Sequence, residues 1–195
     1  MTEVTATAVP EKPGKGFSTR EIVMIGAFAA LMAVCSWISI PAPAPLAPFT
    51  LQTFAVFYAL EMLGGKHGLF AILSYVLIGL VGVPVFAQFT GGPAVLFGST
   101  GGYIIGFIFS ALVYWALERV HGGKLWGRIL ALVLGLAVCY AFGTAWFMVV
   151  YARDNGAVGL MTALGWCVIP FIIPDLVKMA LAMGISARLR RYVKH

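Results

Sequence analysis

Six apolar runs, separated by short polar turns, most constrain how this chain can fold. The runs cover about 19–40, 50–64, 68–83, 101–120, 126–151 and 169–190. A helix needs about 20 apolar residues to cross the hydrocarbon core of a bilayer, which is roughly 30 Å thick. Only 10% of the residues are charged, whereas soluble domains contain about 25%, so the chain lacks the polar surface of a soluble fold. We therefore predict an all-α polytopic membrane protein with six transmembrane helices.

The basic residues indicate how these helices are oriented. If both termini lie in the cytoplasm, 11 of the 13 Lys and Arg residues fall on the inner side. These residues are Lys12, Lys15, Arg20, Lys66, Arg119, Lys124, Arg128, Arg188, Arg190, Arg191 and Lys194. Of the other two, Arg153 falls on the outer side and Lys178 lies inside the last span. Because short cytoplasmic segments are enriched in Lys and Arg, this asymmetry predicts six spans with both termini cytoplasmic.

The predicted domain organisation is a short tail followed by one membrane domain. Residues 1–17 contain Pro, Gly, Thr and Lys without an apolar core, which predicts a disordered cytoplasmic tail. Residues 18–195 form the single six-helix domain, which opens with a capping box of the Ser-x-x-Glu type. Within it we expect a non-helical stretch at 84–100, a turn at 153–156 and a short interfacial helix at 160–166. The net charge is +6, but the chain has no basic patch interleaved with aromatic residues, so the sequence does not support nucleic-acid binding.

Small residues form a strip along the first predicted span. Gly26 and Ala30 make one small-x-x-x-small pair, and Ala29 and Ala33 make another. Such a strip allows a second helix backbone to approach closely. On the pattern alone, packing within this chain and contact with an external partner are equally good interpretations.

The last span contains an acid and a base, Asp175 and Lys178, one helical turn apart. Residues three apart share a face of a helix. An ionisable residue at membrane depth costs about 2.5–3.5 kcal/mol on insertion scales, so by default it indicates function. The alternative is an ion pair that only neutralises itself.

Two outer loops, 41–50 and 84–100, carry no charge and are rich in Pro, Gly and aromatic residues. The prolines of the first loop exclude a helix and predict an extended, stiff segment. Irregular backbone near membrane depth is tolerated only where protein buries it or where it lines a cavity. With the acid–base pair, these loops predict an outward-facing small-molecule pocket. Its neutral hydrogen-bonding groups would be Gln52, Gln88, Thr90, Ser99 and Thr100.

Several polar residues also have purely structural interpretations. Gln52 could cap or bridge helices, and the glycine run at 98–102 could simply start a helix. Glu61 and Glu118 are expected at surface or interfacial positions near the inner ends of their spans. The histidines of the inner turns and the tail are expected to be solvated, namely His67, His121 and His195. The chain has no catalytic constellation and no metal-ligand spacing, so we predict neither enzyme activity nor a metal or other cofactor.

Four separated segments carry a resemblance to a known family. They are 48–53 (PFTLQT), 79–86 (GLVGVPVF), 98–107 (GSTGGYIIGF) and 170–178 (PFIIPDLVK). In this order they resemble BioY, the biotin-binding S component of energy-coupling-factor (ECF) transporters, over about residues 19–191. The chain departs from that pattern at Ser99 and Pro174, where Pro and Gly are expected, and its 84–100 loop has no Arg.

The resemblance implies a six-helix S-component fold, high-affinity biotin capture from outside, and a bacterial plasma membrane location. It also implies three kinds of neighbour: membrane lipid, a transmembrane coupling subunit and two cytoplasmic ATPases, while a homo-oligomer stays open. The strip on the first span matches the family's docking surface for the coupling subunit, which favours an external interface. The chain has no Walker-type motif, so ATP hydrolysis is expected on partner subunits. A stand-alone secondary transporter is the alternative, although the sequence has no inverted repeat.

The resemblance also suggests roles for the pocket residues. The carboxylate of Asp175 accepts hydrogen bonds only, so it can take N–H bonds from the ureido ring of biotin. Lys178 can donate to the ureido oxygen or to the tail carboxylate, and both possibilities stay open. Gln52 and Gln88 can bond the ring or hold the outer loops. The other expected ligand-binding residues are Thr100 and three aromatic residues that can pack on the apolar body, Phe49, Phe86 and Tyr103.

Overall fold

The computed structural model describes residues 16–43 and 47–193, and its described part is almost entirely helical. The α-helices are α1 (Thr19–Trp37), α2 (Gln52–Leu80), α3 (Pro93–Leu96), α4 (Gly101–His121), α5 (Leu125–Asn155), α6 (Leu160–Cys167) and α7 (Ile169–Val193). Two short strands, β1 (Ser39–Ile40) and β2 (Phe49–Thr50), pair antiparallel, and a 3-10 turn covers Ala87–Phe89. Five helices, α1, α2, α4, α5 and α7, are long and apolar enough to cross a membrane.

The helix α1 starts and ends for identifiable reasons. The backbone N–H of Ser18 donates to the Glu21 carboxylate (2.7 Å), and the Glu21 N–H donates to the Ser18 hydroxyl (3.3 Å). This is the predicted capping box, which satisfies N–H groups that the helix itself cannot pair. The helix ends at Trp37, earlier than predicted, because the next residues pair with Phe49–Thr50. The predicted stiff loop lies partly at residues 44–46, outside the described residues, as do residues 1–15 of the predicted tail.

The helix α2 is in fact two antiparallel helices joined at Gly64. Gly64 has φ 78° and ψ 173°, a backbone conformation that glycine adopts at little cost. The side-chain amide of Gln52 donates to the Tyr75 hydroxyl at 2.7 Å, although the two residues are 23 positions apart. A continuous helix would separate them by about 34 Å. The segments 52–63 (α2a) and 65–80 (α2b) are therefore the predicted second and third spans, and the six-span prediction is confirmed.

The outer connections are more helical than predicted. The 84–100 stretch contains the 3-10 turn and the single helical turn α3, so its prediction as wholly non-helical is wrong. The turn predicted at 153–156 is wrong as well, because α5 continues through Asn155 and ends at Gly156, whose φ is 83°. A short helix is present where one was predicted, as α6.

The helices α4 and α5 form the most closely packed pair. Glycines on both helices make the close approach possible: a Cβ on Gly106 would lie 2.8 Å from the Cys139 sulfur, and one on Gly143 would overlap the Tyr103 ring. The helix α7 packs against α2 and α6 instead. In α2a, none of the residues 52–63 is exposed, so this segment is the centre of the molecule.

The inner side contains a buried charged cluster around Glu61. The Glu61 carboxylate is fully buried and forms an ion pair with Arg128. It also accepts a hydrogen bond from the Tyr114 hydroxyl (3.1 Å), and an Arg190 guanidinium nitrogen lies 3.7 Å away. The Ser186 hydroxyl donates at 3.5 Å. The prediction of a surface or interfacial Glu61 is therefore wrong, because residues from α4, α5 and α7 enclose it.

Two other inner residues, Glu118 and His67, are partly buried. Glu118 accepts a hydrogen bond from the N–H of Gly65 (2.8 Å) and so stabilises the turn between α2a and α2b. His67 lies 3.2 Å from the Glu21 carboxylate, and 27% of its side chain is exposed, so it is partly solvated. The side chains of His121 and His195 lie outside the described residues. The contact between His67 and Glu21 places the turn after α2a beside the start of α1. This agrees with the prediction that both lie on the inner side.

We predict that Glu61→Ala destabilises the protein by about 3–5 kcal/mol, because it leaves the Arg128 charge buried without its partner. Thermal unfolding in detergent would show this as a large drop in the unfolding midpoint. The double variant Glu61→Leu with Arg128→Met should recover much of the loss, since it buries no charge. Asp154→Asn, at an exposed position, is the control and should leave the midpoint unchanged. A Glu61→Ala protein as stable as the parent would contradict this account.

Candidate functional site

A cavity of about 390 Å³ lies beside the predicted outer loops, within the range of roughly 300–1,000 Å³ that is usual for small-molecule sites. It is bounded by α2a, α4, α5 and α7 and by the loops before α2 and before α4. One end is buried, whereas Gln88, Thr90 and Ala94 at the other end are exposed. A pocket is therefore present beside the loops that were predicted to be outer, and irregular backbone lines it.

Asp175 and Lys178 lie in the wall of this cavity, at its buried end. Their relative exposures are only 2% and 8%. The Lys178 ammonium lies 2.8 Å from one carboxylate oxygen of Asp175. The two residues share one face of α7, as predicted from their spacing. Their charges cancel, which removes much of the cost of burying either one alone.

Two further side chains, Thr53 and Tyr140, complete the surroundings of Asp175. The Thr53 hydroxyl donates to the same carboxylate oxygen as Lys178 (2.8 Å), and Lys178 also donates to the Thr53 oxygen (3.1 Å). The Tyr140 hydroxyl donates to the other carboxylate oxygen (2.6 Å). Sequence reasoning missed both residues. Thr53 stands in the PFTLQT segment beside Gln52, so that segment was the available signal, whereas nothing marks Tyr140 within its apolar span.

The hydrogen-bonding capacity of this group is not exhausted. An ionised carboxylate offers about four acceptor positions and an ammonium group offers three donors. Among the described residues, the Asp175 carboxylate accepts three hydrogen bonds and the Lys178 ammonium donates two. One acceptor position and one donor are therefore left for a ligand in the cavity. A neutral group with both N–H and C=O would match them.

The structure brings most of the other predicted site residues into the same cavity. Those in its wall are Gln52, Phe86, Gln88, Thr100 and Tyr103. The side-chain amide nitrogen of Gln52 already donates to Tyr75, and the Tyr103 hydroxyl is 3.0 Å from the Thr144 hydroxyl. Phe49 lies behind the wall instead. Its ring stacks on Phe171 (4.4 Å between ring centroids), and the Lys178 nitrogen is 5.9 Å from its centroid.

The outer loop after α2b is anchored at its base by side chains of other helices. The indole N–H of Trp37 donates to the Pro84 carbonyl (2.8 Å), and the Tyr75 hydroxyl donates to the Val85 carbonyl (3.1 Å). At the tip, Gln88 and Phe89 adopt positive φ angles of 57° and 56°, which costs a non-glycine residue on the order of 1 kcal/mol. The Phe89 ring stacks on Trp37 at 5.1 Å. Trp37 therefore holds both the base and the tip of this loop.

The small-residue strip on α1 is divided between two faces. Ala29 and Ala33 are 4% and 6% exposed and belong to the core, so for this pair the structure shows packing within the chain and not the external interface that the resemblance favoured. Gly26 and Ala30 are exposed, and a Cβ on Gly26 would meet no atom within 4 Å. One small pair thus packs within the chain, and the other is left open.

A model of the BioY family matches residues 7–195, which is nearly the whole chain. The chain belongs to the BioY family. The biotin transporter BioY of Thermotoga maritima is 40% identical over 88% of this chain and 96% of that protein. A probable biotin transporter BioY from Pyrococcus horikoshii is 41% identical over 88% and 96%, respectively. BioY2 of Lactococcus lactis, also named a biotin transporter, is 33% identical over 89% and 92%.

A solved structure shares the fold. The crystal structure of an S component for biotin from an ECF-type ABC transporter has a TM-score of 0.77 and covers 90% of this chain and 95% of its own. Its sequence is 24% identical, so the likeness concerns the fold. This BioY chain is therefore a multi-pass membrane protein with the predicted S-component architecture.

We predict that Trp37→Ala loosens the tip of the outer loop of this BioY chain, because the Trp37 bond to Pro84 and its stack on Phe89 are both lost while the Tyr75 bond to Val85 remains. Chymotrypsin cleavage after Phe89, followed by mass spectrometry in detergent, should become roughly tenfold faster. Trp126→Ala is the matched control, since Trp126 is 81% exposed at the start of α5 on the other side. Equal cleavage rates in Trp37→Ala and the parent would show that the loop is held by something else.

Proposed function

We propose that this chain binds biotin on the outer side of a bacterial plasma membrane, as the substrate-capture subunit (S component) of an ATP-driven ECF-type importer. The family match and the names of the relatives support this function. They also agree with a transport subunit rather than an enzyme. The observation that carries the proposal is the Asp175–Lys178 pair in the wall of a cavity of suitable size.

The chemistry of the buried end suits the ureido ring of biotin. That ring has two N–H donors and one carbonyl oxygen, and it carries no charge. The open acceptor position of Asp175 can take a ring N–H, and the open donor of Lys178 can bind the ring oxygen. Thr53 and Tyr140 hold the carboxylate in place while it does so. Because the pair is neutral, a neutral ring can bind without leaving a charge uncompensated.

The rest of the cavity suits the less polar parts of the ligand. Phe86, Tyr103 and Phe171 provide aromatic surface for the thioether ring and the aliphatic tail. Phe49 supports this surface from behind through its stack on Phe171. Gln52, Gln88 and Thr100 supply neutral hydrogen-bonding groups, and Gln88 lies at the exposed end.

Energy for uptake would come from partner subunits. The sequence has no Walker-type phosphate-binding motif, so a transmembrane coupling subunit and two cytoplasmic ATPases would drive release inward. The exposed pair Gly26 and Ala30 offers a surface on which a helix of the coupling subunit can pack closely. A stand-alone secondary transporter would need none of these partners, which makes the two functions separable by experiment.

We predict that Asp175→Asn and Lys178→Ala each weaken biotin binding at least tenfold, because each leaves the other charge buried and unpaired, at a cost of about 3–5 kcal/mol. Isothermal titration calorimetry on the purified single variants measures this directly. Asp154→Asn is the control and should bind normally. Near-normal affinity in both site variants would sink the assignment of this pair to the ligand.

The identity of the ligand has its own test. Biotin should raise the unfolding midpoint of the parent protein in detergent, because a ligand that binds the folded state stabilises it by mass action. Other small carboxylic acids and vitamins should not raise it at the same concentration. Stabilisation by several unrelated vitamins, or by none, would contradict biotin capture.

We predict that the double variant Gly26→Leu/Ala30→Leu keeps its biotin affinity but loses energised uptake, since added bulk prevents close approach of the coupling subunit. The measurements are biotin binding to the purified variant, radiolabelled biotin uptake by cells, and co-purification of the ATPases. Ala141→Leu, on the exposed face of α5, is the matched control. Uptake that persists without ATPases and depends on a proton or sodium gradient would favour a secondary transporter.

A further inference from the structure

The charge in the proposed biotin cavity is confined to its buried end. Among the described residues, Asp175 and Lys178 are the charged side chains in the cavity wall, and they neutralise each other at 2.8 Å. The outer connections 38–51, 81–100 and 156–168 contain no Asp, Glu, Lys, Arg or His at all. Among the described residues, the exposed end of the cavity therefore has no cationic side chain to pair with a ligand carboxylate.

The charged residues nearest to these connections in sequence do not alter this conclusion. Arg153 and Asp154 lie at the outer end of α5, where both are exposed, and neither lines the cavity. The N-terminus of α4 reaches the cavity at Thr100, but some of its amide groups are already paired. The N–H of Gly101 donates to the Gly98 carbonyl, and that of Tyr103 donates to the Thr100 carbonyl, both at 3.1 Å.

An ionised carboxylate on a ligand therefore has two places to go. It could take the open donor of Lys178, but this would bury a second anion beside Asp175 with one cation for both, and an uncompensated buried charge is costly. It could instead point through the exposed end, past Gln88, Thr90 and Ala94, and stay hydrated. The second placement keeps the Asp175–Lys178 pair intact and leaves no charge unpaired.

We infer that this chain recognises the cyclic urea and not the charge of the tail, so that it binds biotin derivatives with uncharged tails about as well as biotin. The substrate class is then cyclic ureas with a short aliphatic arm that ends in an acid, an amide or an alcohol. This inference rests on the proposed function, since it concerns the same cavity. It goes further by placing the tail carboxylate at the exposed end without an ionic partner.

The test compares ligands that differ only in the tail. Ligand-free full-length protein in detergent is titrated with biotin, biotinamide and biotinol by calorimetry. We expect dissociation constants within about fivefold of one another, the most that a weak solvent-exposed charge interaction contributes. An N-methylated biotin, which lacks a ring N–H but keeps the acid, should bind at least about tenfold more weakly. If biotinamide and biotinol bind about 100-fold more weakly than biotin, the inference is overturned, because the acid then has a built ionic partner.

Two variants locate the tail. Ala94→Arg puts a cation at the exposed end, and it should raise the preference for biotin over biotinamide about fivefold. The ratio of the two affinities is the readout, so a general change in binding does not affect it. An unchanged ratio overturns the placement of the tail at this end. Arg153→Gln is the matched control, and a fall in the same ratio would show that Arg153 binds the acid, which also overturns the inference.

Failure of this inference and failure of the proposed function look different. If biotin binds tightly and the neutral derivatives do not, the chain is still a biotin-capture subunit, but one that recognises the tail carboxylate. If biotin itself does not bind to the ligand-free protein, the proposed function fails and the inference falls with it.

Discussion

The buried carboxylate of Asp175 is the constraint on which the outer half of the molecule depends. A charge at this depth is tolerated only when opposite charge and hydrogen-bond donors surround it. The donors come from three helices: Thr53 from α2a, Tyr140 from α5 and Lys178 from α7 itself. These helices must meet around one carboxylate, and the cavity lies where they meet.

A second charged cluster, around Glu61, joins helices in the same way on the inner side. Glu61 in α2a gathers Arg128 from α5 with Tyr114 from α4 and Ser186 from α7. The helix α7 does not pack closely against α5, so the two polar clusters connect it to that part of the molecule. One cluster lies beside the cavity, and the other lies away from it. The same central helix thus contributes to the proposed ligand site and to stability.

Much of the fold could be predicted from one-dimensional properties of the chain. The six spans follow from the lengths of the apolar runs, the asymmetry of Lys and Arg, and the Gly64–Gly65 turn. The shared helix face of Asp175 and Lys178 follows from their spacing. Tertiary partners could not be predicted in this way. Nothing local distinguishes Tyr140 from other aromatic residues, or a buried Glu61 from an interfacial one, because burial depends on the helices that surround them. The pattern could not divide the small-residue strip for the same reason: the residue types are alike, but Ala29 and Ala33 are buried while Gly26 and Ala30 are exposed.

The central position of α2a changes which rules apply to it. Its 12 residues extend about 18 Å, well short of the roughly 30 Å hydrocarbon thickness that a lipid-facing helix must match. Hydrophobic mismatch is a cost of the boundary between protein and lipid, and none of the residues 52–63 is exposed. The segment has little of this boundary, because other helices take the place of lipid around most of it. It can therefore be short and carry Gln52 and Thr53 at one end and Glu61 at the other. The same polar side chains would be costly in a helix that faces acyl chains.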